Sequence, residues 1–389
     1  MPCTDGSLVY TKGSDPVSRK AMQTSPPTSR PRPRLRRGQK TSFLPAATVA
    51  RDIGSRSGHA SGDKGMDMKK RALLVGIDQY QHMSALNGCV ADAIALRDML
   101  QSHENGEPNY DCRLLTSADE QPVTRELLRP QLQALFHNAR DHVLFHFSGH
   151  GKSTKTGAFL VTQDGTDNDP GLPMDELLNL ANQSKAKSVL LILDCCYAGH
   201  FGDPSIFQDG DDLQKTFLRE GVTVLAASRS SEKARERQGH GVFTKLLLGA
   251  LGGGAADPRG RVSAASIYAY IEQVLDSWDQ RPMYKSHAAH LPPVRLCKPS
   301  VPDKLLRDLP KVFPQETSKY YLAPSYERTH PSARQSHVNI ANKFKILRNA
   351  RMLSTQAGKD MYFIALESGW VRLTPLGQFY WMLATKSQL

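Results

Sequence analysis

Short apolar runs recur along this chain, each parted from the next by a loop and a helix-length segment, and that alternation constrains the fold more than any other feature. Ala72 to Ile77 (ALLVGI), His142 to Phe147, Ser188 to Leu193 and Val222 to Ala227 read as strands buried on both faces. Cys112 to Leu115 and Ala158 to Thr162 add two further strands. Val90 to Leu100, Thr124 to Asn138, Met174 to Ala181, Phe243 to Leu251 and Ser263 to Leu275 read as helices. The pattern predicts an α/β fold with a mostly parallel central sheet flanked by helices. Loops leaving the carboxyl ends of such strands gather at one edge, so chemistry is to be sought just after the apolar runs.

Charge divides the chain into three. Residues 1–65 hold 12 basic and 4 acidic side chains, residues 66–297 hold 24 and 28, and residues 298–389 hold 14 and 6, within a total of +12. Residues 1–68 form a basic leader rich in Ser, Pro, Arg and Gly, including Ser29 to Arg37 (SRPRPRLRR), for which disorder is expected. Met66 and Met68 stand directly before the first strand, and either is a candidate for the true start. No apolar run approaches the roughly 20 residues that span a bilayer, so no membrane association is expected. The six cysteines show no Cys-x-x-Cys spacing, which argues for a reducing, cytoplasmic setting and against zinc.

Two strand ends carry distinctive residues. His142 to Phe147 runs into Ser148-Gly149-His150-Gly151, and Ser188 to Leu193 into Asp194-Cys195-Cys196-Tyr197-Ala198-Gly199. A thiolate attacks a carbonyl and an imidazolium protonates the departing amine, so a Cys and a His on neighbouring strand ends suit peptide cleavage. The glycines beside His150 allow close backbone approach, and the N–H groups of Gly149 and Cys196 are read as the oxyanion donors.

These blocks resemble the caspase-like cysteine peptidases, and among them the metacaspases and their bacterial relatives. The resemblance rests on ALLVGIDQY (Ala72 to Tyr80), LNGCVADA (Leu86 to Ala93), FSGHG (Phe147 to Gly151), LDCCYAG (Leu193 to Gly199) and GVFTKLLLGAL (Gly241 to Leu251), and covers about residues 71 to 285. It implies a caspase-haemoglobinase fold over 69–297, with His150 as general acid/base and Cys196, two positions after Asp194, as nucleophile. It also implies a primary specificity pocket made by Cys89, Asp92, Ser148 and Asp194. Two carboxylates there would hold an arginine or lysine and repel an aspartate, so cleavage after a basic P1 residue is expected. Many metacaspases need calcium, and the resemblance implies Asp164, Asp175, Glu176 and Asp203 as its ligands, hard oxygens of the kind Ca²⁺ takes. Lys233, Arg235 and Arg237 in the polar stretch Arg229 to His240, with Lys215 and Arg219 as rivals, are candidate self-cleavage positions. The alternative from another class is a catalytically silent scaffold of the same fold.

Beyond residue 297, a linker is expected over 298–336 and a small winged-helix-like α+β domain over 337–389. Val338 to Leu353 reads as a helix, Met361 to Glu367 and Trp370 to Thr374 as strands, and Pro375 to Ala384 as a final helix. Lys343, Lys345, Arg348 and Arg351 make nucleic acid conceivable, but a protein adaptor is the favoured partner.

Overall fold

Every residue from Ala72 to Gly76 is buried, as a strand with helices on both faces requires, and this strand lies inside the main sheet of the computed structural model. Described are residues 70–137, 141–196, 217–227, 241–275, 282–288 and 292–389, with the backbone of 236–237 and 240. The leader, Lys215, Asp203 and most of 229–240 lie outside them. The elements run β1 (Lys70–Gly76), α1 (Cys89–Gln101), β2 (Asp111–Thr116), α2 (Arg125–His137) and β3 (His142–Ser148). A small sheet follows, β4 (Gly151–Thr154), β5 (Gly157–Val161) and β6 (Gly171–Pro173), then α3 (Met174–Gln183), β7 (Ser188–Asp194) and β8 (Val222–Ala226). Next come β9 (Glu236–Arg237), β10 (His240–Gly241), α4 (Val242–Gly249), β11 (Arg261–Val262), α5 (Ala264–Leu275), β12 (Met283–His287) and β13 (Arg295–Leu296).

The six-stranded sheet has the order β12-β8-β7-β3-β1-β2, parallel except for β12 at its edge. Side chains alternate across it. Val143, Phe145 and Phe147 of β3 enter one core with Leu128, Leu132 and Phe136 of α2 and Leu177 of α3. Leu144 enters the opposite core with Leu96 of α1, Leu247 of α4 and Ile267 of α5. Each such side chain, fully buried, contributes about 1.5–3 kcal/mol. The chain moves outward from β1 to β2 and then returns to β3 on the other side of β1. The crevice between the carboxyl ends of β1 and β3 is therefore a switch point, where such sheets bind ligands.

The C-terminal segment differs from its sequence reading in two places. Residues 298–336 are not a linker: they carry α6 (Asp303–Arg307), α7 (Leu309–Val312) and β14 (Lys319–Tyr321), and Val301, Leu306, Leu309 and Phe313 are buried in a third core. After α8 (Gln335–Asn349) and β15 (Leu353–Thr355), Met361–Leu366 forms a helix, α9, rather than a strand. Met361, Ile364 and Ala365 fall on its buried side at helical spacing, and Asp360 caps it by accepting the Tyr362 N–H. β16 (Trp370–Leu373) pairs instead with β14 and β15, and α10 (Pro375–Thr385) closes the unit. Arg259 grips Asp303 with two hydrogen bonds of 3.1 Å, fastening α6 to the turn before β11. Among the described residues no helix is long and apolar enough to cross a membrane.

Candidate active site

β3 and β7 are paired in register to their last residues, Ser148 opposite Asp194, so the segments that follow both leave the same edge. An alanine Cβ at Gly151 would stand 1.9 Å from the carbonyl oxygen of Cys196, a contact only glycine permits. His150 and Cys196 are thereby carried on adjoining backbone. The segment bearing the imidazole is held from the β1 loop: the Tyr80 hydroxyl accepts the backbone N–H of His150 at 2.8 Å, and the Tyr80 ring lies 4.8 Å from the imidazole. Nε2 of His150 is 2.9 Å from the carbonyl oxygen of Ser84. A carbonyl only accepts, so Nε2 carries the proton and Nδ1 is left to exchange one.

Cys195 and Cys196 separate cleanly. Cys195 is buried in the core beneath the sheet, and burial, with Asp194 and the neighbouring thiols adding to it, drives its pKa well up. Cys196 is half-buried at the strand end. The oxyanion assignment needs a correction. The Gly149 N–H donates to the Asp194 carbonyl at 3.3 Å, continuing the β3–β7 edge, and the glycine backbone that meets Cys196 is that of Gly151.

The four residues assigned to the specificity pocket come together. Asp92 and Asp194 are buried, at 1% and 7% exposure, and the buried Ser148 pairs in register with Asp194. Burial drives the Cys89 thiol well up, the Ser148 hydroxyl bonds to it, and Asp78, Asp194 and Asp92 are near enough to raise it further. Burial also pushes Asp194 up to about 6, opposed by a hydrogen bond from Thr244 and aided by the negative charge of Asp92. The two carboxylates converge on Gly241. Its N–H donates to Asp92 Oδ2 at 3.1 Å, and the Thr244 hydroxyl donates to Asp194 Oδ2 at 2.7 Å.

Tyr80, Ser84, Thr244 and Asp78 went unassigned in the sequence. Asp78 accepts the backbone N–H of Cys89 at 2.8 Å and of Val90 at 3.3 Å, holding the start of α1 and with it Asp92. The available signal was positional: Asp78 and Tyr80 leave β1 at the switch point, and Thr244 lies in the first turn of α4, hydrogen-bonded to Asp194 at the end of β7.

The calcium set does not assemble among the described residues. Both oxygens of Glu176 are taken by Arg129, at 2.6 and 2.8 Å, and no group of three or more His, Cys, Asp or Glu side chains is placed to share a metal ion. Asp164 keeps a buried Oδ1 without a hydrogen-bond partner, Asp175 lies in the first turn of α3, and Asp203 falls outside the description. Of the self-cleavage candidates, Arg219 is tied down: its guanidinium donates to the carbonyl oxygens of Ala186 and Glu220, and its N–H to Asn182.

Known families and proteins match parts of the chain. The caspase domain family model (Peptidase C14) matches residues 69–291. Metacaspase-1 of Botryotinia fuckeliana is 34% identical over 108 residues, 26% of this chain and 25% of that one. Metacaspase-3 of Arabidopsis thaliana is 35% identical over 88 residues, 21% and 24% of the two chains. The match thus spans about a quarter of the length of either relative. Caspase-1 of Spodoptera frugiperda, a solved structure, is 13% identical with a TM-score of 0.43, covering 59% of this chain and 91% of that one.

Proposed function

The chain belongs to the caspase domain family, and on that premise we propose that it is a cysteine endopeptidase of metacaspase type that cleaves after Arg or Lys. The observation that carries the specificity is the convergence of two buried carboxylates, Asp92 and Asp194, beside the strand end that bears Cys196. Like charges in a dry site repel, and a guanidinium or ammonium entering between them relieves that repulsion while making charge-assisted hydrogen bonds. An aspartate there would add a third negative charge.

In this reading Nδ1 of His150 takes the Cys196 thiol proton and the thiolate attacks the scissile carbonyl, forming a C–S bond as the carbonyl π electrons move to oxygen. Collapse of the tetrahedral adduct expels the amine, which takes a proton from His150, and leaves a thioester. Water, deprotonated by His150, then hydrolyses the thioester and returns the thiol. The Ser84 carbonyl keeps the imidazole in one tautomer and Tyr80 holds the backbone that carries it, which spares reorganisation during the reaction. A reducing cytoplasm would keep such a thiol competent.

Fluorogenic peptides ending in Arg, Lys or Asp, given to the chain and to its Cys196→Ala variant, test the reading. Turnover after Arg and Lys that vanishes in the variant is the expected result, and turnover after Asp overturns it. Silence on every peptide from correctly folded protein favours the scaffold alternative. A calcium arm in the same assay tests whether the ion is required, as the resemblance implies.

For the C-terminal unit we propose an acidic protein partner. The outward face of its sheet sets Lys319 opposite Arg372 and Tyr321 opposite Trp370. The Lys319 ammonium and the Arg372 guanidinium lie 4.5 and 5.4 Å from the centre of the Trp370 ring. Both cations therefore crowd the indole that a nucleobase would need, and of the aromatic pair on this face it is Tyr321, 63% exposed, that stays open. Carboxylates fit this face better than stacked bases. A poly-glutamate peptide binding more tightly than single-stranded DNA of equal charge, and losing affinity with Arg372→Glu, is expected; the reverse preference overturns the assignment.

A further inference from the structure

The geometry points to the first turn of α4 as the element that sets the specificity of the acidic cleft, with Thr244 as a positioning residue for Asp194 and Gly241 as the gap that admits the P1 cation. The inference rests on the reading of the cleft as one for basic side chains.

Asp92 is supplied by α1 and Asp194 by β7, yet both carboxylates find donors at the same place, the N-terminus of α4. Gly241 gives its backbone N–H to one, and Thr244 gives its hydroxyl to the other. Thr244 is fully buried, so no solvent replaces that hydroxyl when it is removed. A hydrogen bond to a buried carboxylate stabilises the charged form, and the N-terminal end of a helix adds to it. Asp194 is held at about 6 with this donor present, against burial and the Asp92 charge. Without the donor it would ionise only at higher pH.

Gly241 contributes by what it lacks. A Cβ on it would stand 2.9 Å from Asp194 Oδ2 and 3.2 Å from Asp92 Oδ2. That point touches both acids, which is the property a substrate cation must have to engage both. A guanidinium presents a planar fork and reaches two acceptors at once, whereas an ammonium is a point charge. The turn is therefore expected to favour Arg over Lys, and a methyl group at Gly241 to remove the space on which that preference depends.

Steady-state kinetics on arginyl and lysyl peptides across pH 5 to 9 decide the matter. With Thr244→Val, KM for the arginyl peptide is expected to rise about 10- to 100-fold with kcat little changed, as loss of a charged hydrogen bond implies. The acidic limb of kcat/KM should move to higher pH by about one unit, while Thr244→Ser restores both KM and the limb. Gly241→Ala should raise KM more for the arginyl than for the lysyl peptide. Should Thr244→Val fail to fold, Thr244→Ala removes the same hydroxyl with a smaller residue and carries the same test. Unchanged KM and pH limb in the folded hydroxyl-less variant, or equal damage from Thr244→Ser, overturns the inference while leaving basic specificity intact. A parent chain that does not cleave after Arg or Lys overturns the underlying reading instead.

Discussion

At the scale of single residues, neighbouring cysteines just past the end of β7 have separate environments. Cys195 is buried in the core, whereas Cys196, in the turn that follows, is only half-buried. Cys196→Ala is expected to abolish peptide turnover, whereas Cys195→Ala should retain most of kcat and lose about 1 kcal/mol of stability to the vacated volume, readable by urea titration. Asp92 shows the opposite trade. Since it repels Asp194 in a buried site, Asp92→Asn should raise the melting temperature by a few degrees while raising KM for arginyl peptides about tenfold or more. The cluster of Cys89, Asp92, Ser148 and Asp194 was legible in sequence as a cluster because its members sit inside short ordered blocks around the Cys and His. Tyr80, Ser84 and Thr244 were not, since each acts through a contact made only when distant loops meet. The assignment of Gly149 failed for a related reason: two glycines flank His150, and only the fold shows that Gly149 bonds to the sheet edge and Gly151 meets Cys196.

At the scale of elements, the site depends on how helices begin. α1 starts at a glycine with a left-handed backbone, Gly88 at φ 107°, which offers no side-chain cap. Asp78 supplies the missing acceptor from across the loop. Asp78→Ala is expected to cost about 1 kcal/mol, within the usual range for a lost cap, and to raise KM as α1 frays at the turn that bears Asp92. Thermal melts and peptide kinetics on one preparation check both effects. Apolar runs of the central strands revealed their state without ambiguity, because few structures other than a doubly covered strand tolerate ALLVGI. Met361 to Leu366 was ambiguous, since six apolar residues fit either period, and the cap at Asp360 decides for helix. The reading of 298–336 as a linker failed because its charged, proline-bearing stretches conceal widely spaced anchors, Val301, Leu306, Leu309 and Phe313, whose burial depends on α8 and α10.

At the scale of the whole molecule, two buried titrating groups pull stability in opposite directions as pH falls. His146 on β3 is fully buried with neither ring nitrogen hydrogen-bonded, and burial holds its pKa down to about 3. Below the ordinary histidine pKa near 6.5 the unfolded chain takes up a proton that the folded one refuses. Stability is therefore lost progressively from about pH 6.5 downward. Asp194, raised to about 6, works the other way: between about 6 and its ordinary value near 4 the folded chain binds a proton first and gains stability. His146→Leu should therefore flatten the acid side of the stability profile, preserving about 2 kcal/mol at pH 5 relative to the parent in urea titrations. An unchanged slope would assign the acid sensitivity elsewhere.

Only four residues separate β13, which ends at Leu296, from the buried anchor Val301, and Arg259 clasps Asp303 just beyond. The segment between the two units thus has little slack. On the proposed reading, a protein seated on the C-terminal unit would be presented to the cleft from one origin and along one bearing, and the span from its docking segment to its scissile bond would act as a measured length. Selection among substrates would then fall to this ruler as much as to the identity of the residue that is cut.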